Sequence, residues 1–151
     1  MILVAGMLAD AAVVERGKLY IHGGGWDTVF AAALPATQAT LALALLFRVE
    51  YSEALKDIPV RIELVDEDGN ATGAVKLDGK INVGHAPGTK PGQPIFVPQA
   101  ITVGGLPLPR EGTYSFRITS GDKDLGAVLF RIALASTAPP GLIPPTIQPA
   151  R

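Results

Sequence analysis

His22-Gly23-Gly24-Gly25-Trp26 is the stretch of this chain whose residue types come nearest to chemistry. A histidine followed by three glycines can lend backbone amides to an oxyanion hole, provided a nucleophilic serine stands beside it on a Gly-x-Ser-x-Gly elbow. The serines are Ser52, Ser115, Ser120 and Ser136, and none sits in that pattern. The second histidine, His85, lies in a proline-rich loop. A phosphate cradle needs its glycines to open a helix. Here Asp27-Thr28-Val29-Phe30 follows, which reads as a strand, and neither GxGxxG nor GK[ST] is present.

Metal chemistry is as poorly supplied. His22 and His85 have no HxH or HExxH spacing. Asp66, Asp68 and Asn70 hint at a calcium loop, but Ala71 stands where that loop requires glycine. Asp66, Glu67, Asp68, Asp122 and Asp124 fall in turns, where solvation and turn chemistry account for them. With no cysteine, there is no disulfide, thiolate ligand or cysteine nucleophile, which fits a reducing, cytoplasmic setting. We therefore expect no catalytic residues, no metal site and no cofactor. On this reading the glycine run serves the backbone: Gly23, Gly24 and Gly25 let a strand bend or pass close to other chain. Trp26 folds back as a core or edge aromatic, and Asp27 caps the turn.

Most of the chain reads as short strands. In "ATLALALLFRVE", Leu41, Leu43, Leu45, Phe47 and Val49 fall on one face of a strand, with Leu46 the misfit on the other. A helix is the rival reading, but its apolar residues would surround the cylinder rather than form a stripe. "IPVRIELVDEDGN" repeats the alternation and ends in a hairpin turn. Tyr114, Phe116 and Ile118, a turn at "SGDKD", and then Val128, Phe130, Ile132 and Leu134 make a second hairpin. Shorter strands are expected at 2–8, 12–14, 18–22, 28–30, 74–83 and 95–103, with one helical turn at Ser52–Asp57. Pro98 marks an edge strand or a bulge. The whole predicts an all-β chain: a single antiparallel immunoglobulin-like sandwich of about seven to nine strands, occupying residues 1–135.

Residues 136–151 form a Pro-rich tail, "STAPPGLIPPTIQPAR", expected to be extended and able to reach on the order of 40 Å. Its apolar Leu142, Ile143 and Ile147, with Pro144 and Pro145, distinguish it from a solvated linker and predict docking on a surface.

Composition says what the sheets must do. Counting glycine and omitting tyrosine, about 57% of the 151 residues are apolar, against a usual 45–50%. Charged residues are 18%, where about a quarter is typical. A lone domain of 15.7 kDa has too much surface for its volume to bury that excess. No apolar run approaches the roughly 20 residues of a spanning helix, and the N-terminal run lacks leading basic residues and is broken by Asp10, unlike a secretory signal. A net charge of −1 gives no field for nucleic acid.

"GLPLPREGTYSFRI" resembles the tyrosine corner of immunoglobulin- and fibronectin-like sandwiches, with Leu108, Gly112 and Tyr114 at the motif positions. The resemblance implies that the Tyr114 hydroxyl bonds back to backbone just upstream; the inter-sheet cysteine pair of antibody domains is absent. "LADAAVVERGKLYIHGGGWDTV", "VRIELVDEDG" and "VGGLPLPREGTYSFRI" together resemble a family of small bacterial proteins of unknown function, over roughly residues 8–134. That likeness implies no activity. The favoured function is a non-catalytic, self-assembling structural or interaction module, a homo-oligomer joined through apolar sheet surface and the tail. The alternative is a small-molecule or peptide-binding sandwich using the Gly23–Trp26 bend and the His85–Pro94 loop. An enzyme assembled from distant strands is the third reading.

Overall fold

The structure is a computed structural model and describes residues 1–135. It is all-β, with nine strands in two sheets and no closed barrel. They are β1 (Ile2–Glu15), β2 (Lys18–Trp26), β3 (Thr28–Ala31), β4 (Ala36–Val49), β5 (Ile58–Val65), β6 (Ala71–Ile81), β7 (Ile95–Leu108), β8 (Gly112–Ser120) and β9 (Lys123–Leu134). The first sheet runs in the order β2-β1-β4-β7 and the second in the order β3-β9-β8-β5-β6.

Strand β4 is the spine of the first sheet. Leu41, Leu43, Leu45, Phe47 and Val49 are all buried on its inner face, as two-residue alternation requires. They meet Ile62 and Leu64 of β5, Phe116 and Ile118 of β8, and Phe130 and Ile132 of β9 from the second sheet. The Phe116 and Phe130 rings stack at 5.6 Å between centroids, with Tyr114 5.9 Å from Phe130. Each such fully buried side chain contributes about 1.5–3 kcal/mol of transfer free energy.

Two expectations need correction. The sandwich is not wholly antiparallel: β3 pairs with β9 in parallel, Thr28 opposite Arg131 and Ala31 opposite Leu134. The chain changes sheets at Asp27, between β2 and β3, and the Asp27 carbonyl accepts the Arg131 N–H at 2.7 Å. It arrives beside β9 already running in that strand's direction. The predicted helical turn at Ser52–Asp57 is a single 3₁₀ turn at Tyr51–Glu53, because the chain after Ala54 must re-extend into β5. Several predicted fragments also fuse: 2–8 and 12–14 are one strand, β1, carried past a register shift against β2 between Leu8 and Ala9. Strand β7 continues to Leu108 rather than stopping at Val103.

Polar groups hold the corners. Asp66 Oδ1 accepts the N–H groups of Asp68 (3.1 Å) and Asn70 (2.9 Å) in the β5–β6 turn. The Met1 ammonium donates to the Glu53 carboxylate, and Lys123 Nζ donates to the Met1 carbonyl at 3.0 Å. These contacts tie the start of β1 to both sheets.

Candidate interaction surface

Strand register places an apolar field on the outside of the first sheet. Across β1, β4 and β7 the outward residues line up in four rows: Ile2–Arg48–Phe96, Ala5–Leu46–Pro98, Met7–Ala44–Ala100 and Ala9–Ala42–Thr102. Ten of these twelve positions are apolar. An antiparallel sheet with one free face normally alternates apolar inward and polar outward; this one is apolar on both. Phe96 is 56% exposed and Ile2 39%, while Ala9, Ala42 and Ala44 are buried. The one charge in the field, Arg48, is neutralised by Glu50, just past the end of its strand, at 2.9 Å.

The glycine run borders this field. Gly24 lies opposite Ala9 in the β1–β2 ladder, extending the fourth row by one strand. A side-chain carbon built at Gly24 would fall 2.6 Å from Ile21 Cγ2 and 3.3 Å from Met7 Sδ. Its absence lets those two apolar chains close over the row. Leu8 pairs with Trp26 and Ala9 with Gly24, so Gly25 is the extra residue of a bulge, and its φ of +87° suits glycine. Gly23 also has positive φ, +59°, and packs against Asp10.

Trp26 points inward beside Leu8, half-buried, with its Nε1–H enclosed and without a hydrogen-bond partner among the described residues. Asp27 Oδ1 accepts the Thr28 hydroxyl at 2.9 Å. His85 stacks on Tyr51 with ring centroids 4.0 Å apart. Trp26 sits level with Leu8 and hence with Leu43, and β4 runs six residues further to Val49 before the turn that carries Tyr51, about 20 Å at a rise of ~3.3 Å per residue. The Gly23–Trp26 bend and the His85–Pro94 loop are therefore at opposite ends of the molecule and form no common site. His22 and His85 are separated likewise, and among the described residues no three His, Asp or Glu side chains gather as a metal-binding group.

Leu108 ends β7 buried, Gly112 opens β8 beneath Glu67, and the Tyr114 hydroxyl donates to the Arg110 carbonyl oxygen at 3.4 Å. Leu142, Ile143, Pro144, Pro145 and Ile147 lie outside the described residues. The outer field escaped single-strand reading because it appears only when three strands are set in register. Its trace in the sequence was Leu46, together with Ala42 and Ala44, which make β4 almost continuously apolar.

Among the described residues no helix is long and apolar enough to cross a membrane. No curated protein matches the chain. Among solved structures, chicken MD-1 complexed with lipid IVa aligns with 63% of this chain and 70% of its own, at 18% identity and a TM-score of 0.32. A likeness that slight carries no argument about this protein. Residues 4–133 match the model of a family of unknown function (DUF6941), and the chain belongs to that family.

Proposed function

We propose that this chain is a non-catalytic, self-associating interaction module, an immunoglobulin-like sandwich whose copies meet through the outer face of β1, β4 and β7. The four apolar rows carry this reading. At ~4.8 Å between strands and ~6.7 Å between same-face residues, the twelve positions have a footprint of at most about 400 Å², to which the buried Ala9, Ala42 and Ala44 add almost no exposed surface. Patches of that size on a monomer commonly mark interaction sites. A second copy is the favoured occupant because the field is apolar and free of uncompensated charge, so an identical face meets it without burying an unpaired ion.

The immunoglobulin-like assignment is supported by the strand order β3-β9-β8-β5-β6, with β3 parallel to β9, and by the Tyr114–Arg110 hydrogen bond at the start of β8. Stable interfaces bury about 800 Å² on each partner, so the sheet face supplies less than half. In this reading the remainder comes from the apolar residues of the Pro-rich tail, Leu142, Ile143, Pro144, Pro145 and Ile147. Light scattering from micromolar to hundreds of micromolar, with and without residues 138–151, tests this division. The full chain is expected to dimerise and the shortened chain to do so more weakly. A mass of 15.7 kDa for the full chain at every concentration would overturn the reading.

A further inference from the structure

Between the edge strands β6 and β7 the sandwich opens into a cleft of about 220 Å³. Its floor is core: Phe47 from the first sheet and Ile62 from the second. Leu77 and Ile81 line one wall and Ile101 the other. This cleft lies inside the sandwich and uses none of the outer face argued above.

Two features distinguish it from a packing gap. On β6 the inward positions run Val75, Leu77, Gly79, Ile81, paired on the neighbouring strand with Ile62, Val60 and Ile58. Gly79 breaks the series. A side-chain carbon built there meets nothing within 4 Å, and its φ lies outside the left-handed region. Neither backbone torsion nor crowding demands glycine. Glycine in a strand interior weakens the strand and marks a bulge, a tight bend, or a place where a ligand or another backbone approaches closely; β6 pairs with β5 without a shift from Ile58–Ile81 to Glu63–Lys76. On the opposite wall the inward positions of β7 are Ile95, Val97, Gln99, Ile101 and Val103. Gln99 is the one polar member, and its side-chain amide has no hydrogen-bond partner among the described residues. A hollow kept open by a missing side chain, apolar within and supplied with a spare amide, is the composition of a small-molecule site.

The ionic groups at the mouth limit what enters. Asp78 is engaged by Arg61 at 2.6 Å, and Lys80 by Asp57. Asn82 also donates to Asp57, at 2.8 Å. The opening is therefore locally neutral and offers no free charge to a carboxylate or ammonium ligand. Size follows from comparison with a dry 150 Å³ cavity that admits benzene: about nine non-hydrogen atoms by proportion. We propose that this cleft binds an unbranched aliphatic chain of about that size ending in an uncharged hydrogen-bonding group, the chain over Gly79 and the polar end on Gln99.

The test is titration of the full chain with 1-octanol, read by amide chemical shifts, beside octanoate and the variants Gly79→Val and Gln99→Leu. Saturable shifts at Gly79, Gln99 and Ile101 are expected with octanol, and binding of octanoate at least fivefold weaker. Gly79→Val is expected to melt at or above the parent temperature, since a β-branched residue suits a strand, yet to bind octanol at least tenfold more weakly. Gln99→Leu is expected to weaken octanol about threefold to tenfold, the worth of one hydrogen bond. The proposal is overturned if octanol gives no saturable shifts or shifts only the outer face. It fails equally if Gly79→Val binds as tightly as the parent, or if octanoate binds as well as octanol.

Discussion

Gly24 lies directly across the β1–β2 ladder from Ala9, and Ile21 and Met7 close over the pair. The glycine run that suggests an oxyanion hole thus shapes one end of an apolar sheet face. Replacing Gly24 with leucine forces a side chain into space held by the stiff Ile21. Overpacking of this kind costs about 1–3 kcal/mol, so Gly24→Leu is expected to lower the melting temperature by several degrees. Gly25→Ala is expected to cost about 1–2 kcal/mol for a different reason, the left-handed φ that an added Cβ disfavours. Urea denaturation of both variants checks the pair. An unchanged midpoint in either would refute the corresponding cause.

The Tyr114 hydroxyl reaches back over the turn before β8 to the Arg110 carbonyl while its ring stays in the core. Tyr114→Phe keeps the ring and removes the bond. The expected loss is about 0.5–1.5 kcal/mol, with no change in the sheet signal by circular dichroism. A neutral substitution would mean that the 3.4 Å contact contributes nothing to the corner.

Glu53 sets an acid dependence. The hydrogen bond from the Met1 ammonium is the largest influence on its carboxyl and, against some desolvation, holds it below the ordinary value of 4.5. A depressed folded-state value stabilises the fold above the unfolded value and loses that contribution as pH falls through the folded one. Glu53→Gln is therefore expected to be less stable than the parent at pH 7, with the difference shrinking at acid pH. Paired melting curves at neutral and acid pH measure it; a difference that widens on acidification would contradict the pairing. Part-exposed as Glu53 is, the effect is modest.

Much of the architecture is legible in the residues because burial imposes period two. Leu41 to Val49 announce a strand, and Tyr114, Phe116 and Ile118 announce another, since each face meets a different solvent. What is not legible is anything that depends on how strands are placed beside one another. The direction of the four-residue β3 is decided by the crossing at Asp27, and no local pattern encodes it. The outer field needs the register of three strands before Ile2, Leu46 and Phe96 fall together. Gly79 and Gln99 line one cleft only because the two edge strands border the same opening; in the sequence they are an ordinary glycine and an ordinary glutamine. Two regions singled out for binding, at Trp26 and His85, are real features placed too far apart to cooperate.

Leu46 stands at the middle of the outer face, between Ala5 and Pro98, and is the position from which self-association is most directly broken. A lysine there sets an ammonium in the centre of any interface built on these rows, where an unpaired charge is costly to desolvate, and leaves the core untouched. Sedimentation velocity on the parent and Leu46→Lys chains, at matched concentrations in the tens of micromolar, is the decisive measurement. A parent that sediments as a dimer and a folded Leu46→Lys that sediments at 15.7 kDa is the predicted result. A parent that is itself monomeric, or a variant that dimerises as strongly as the parent, would contradict it.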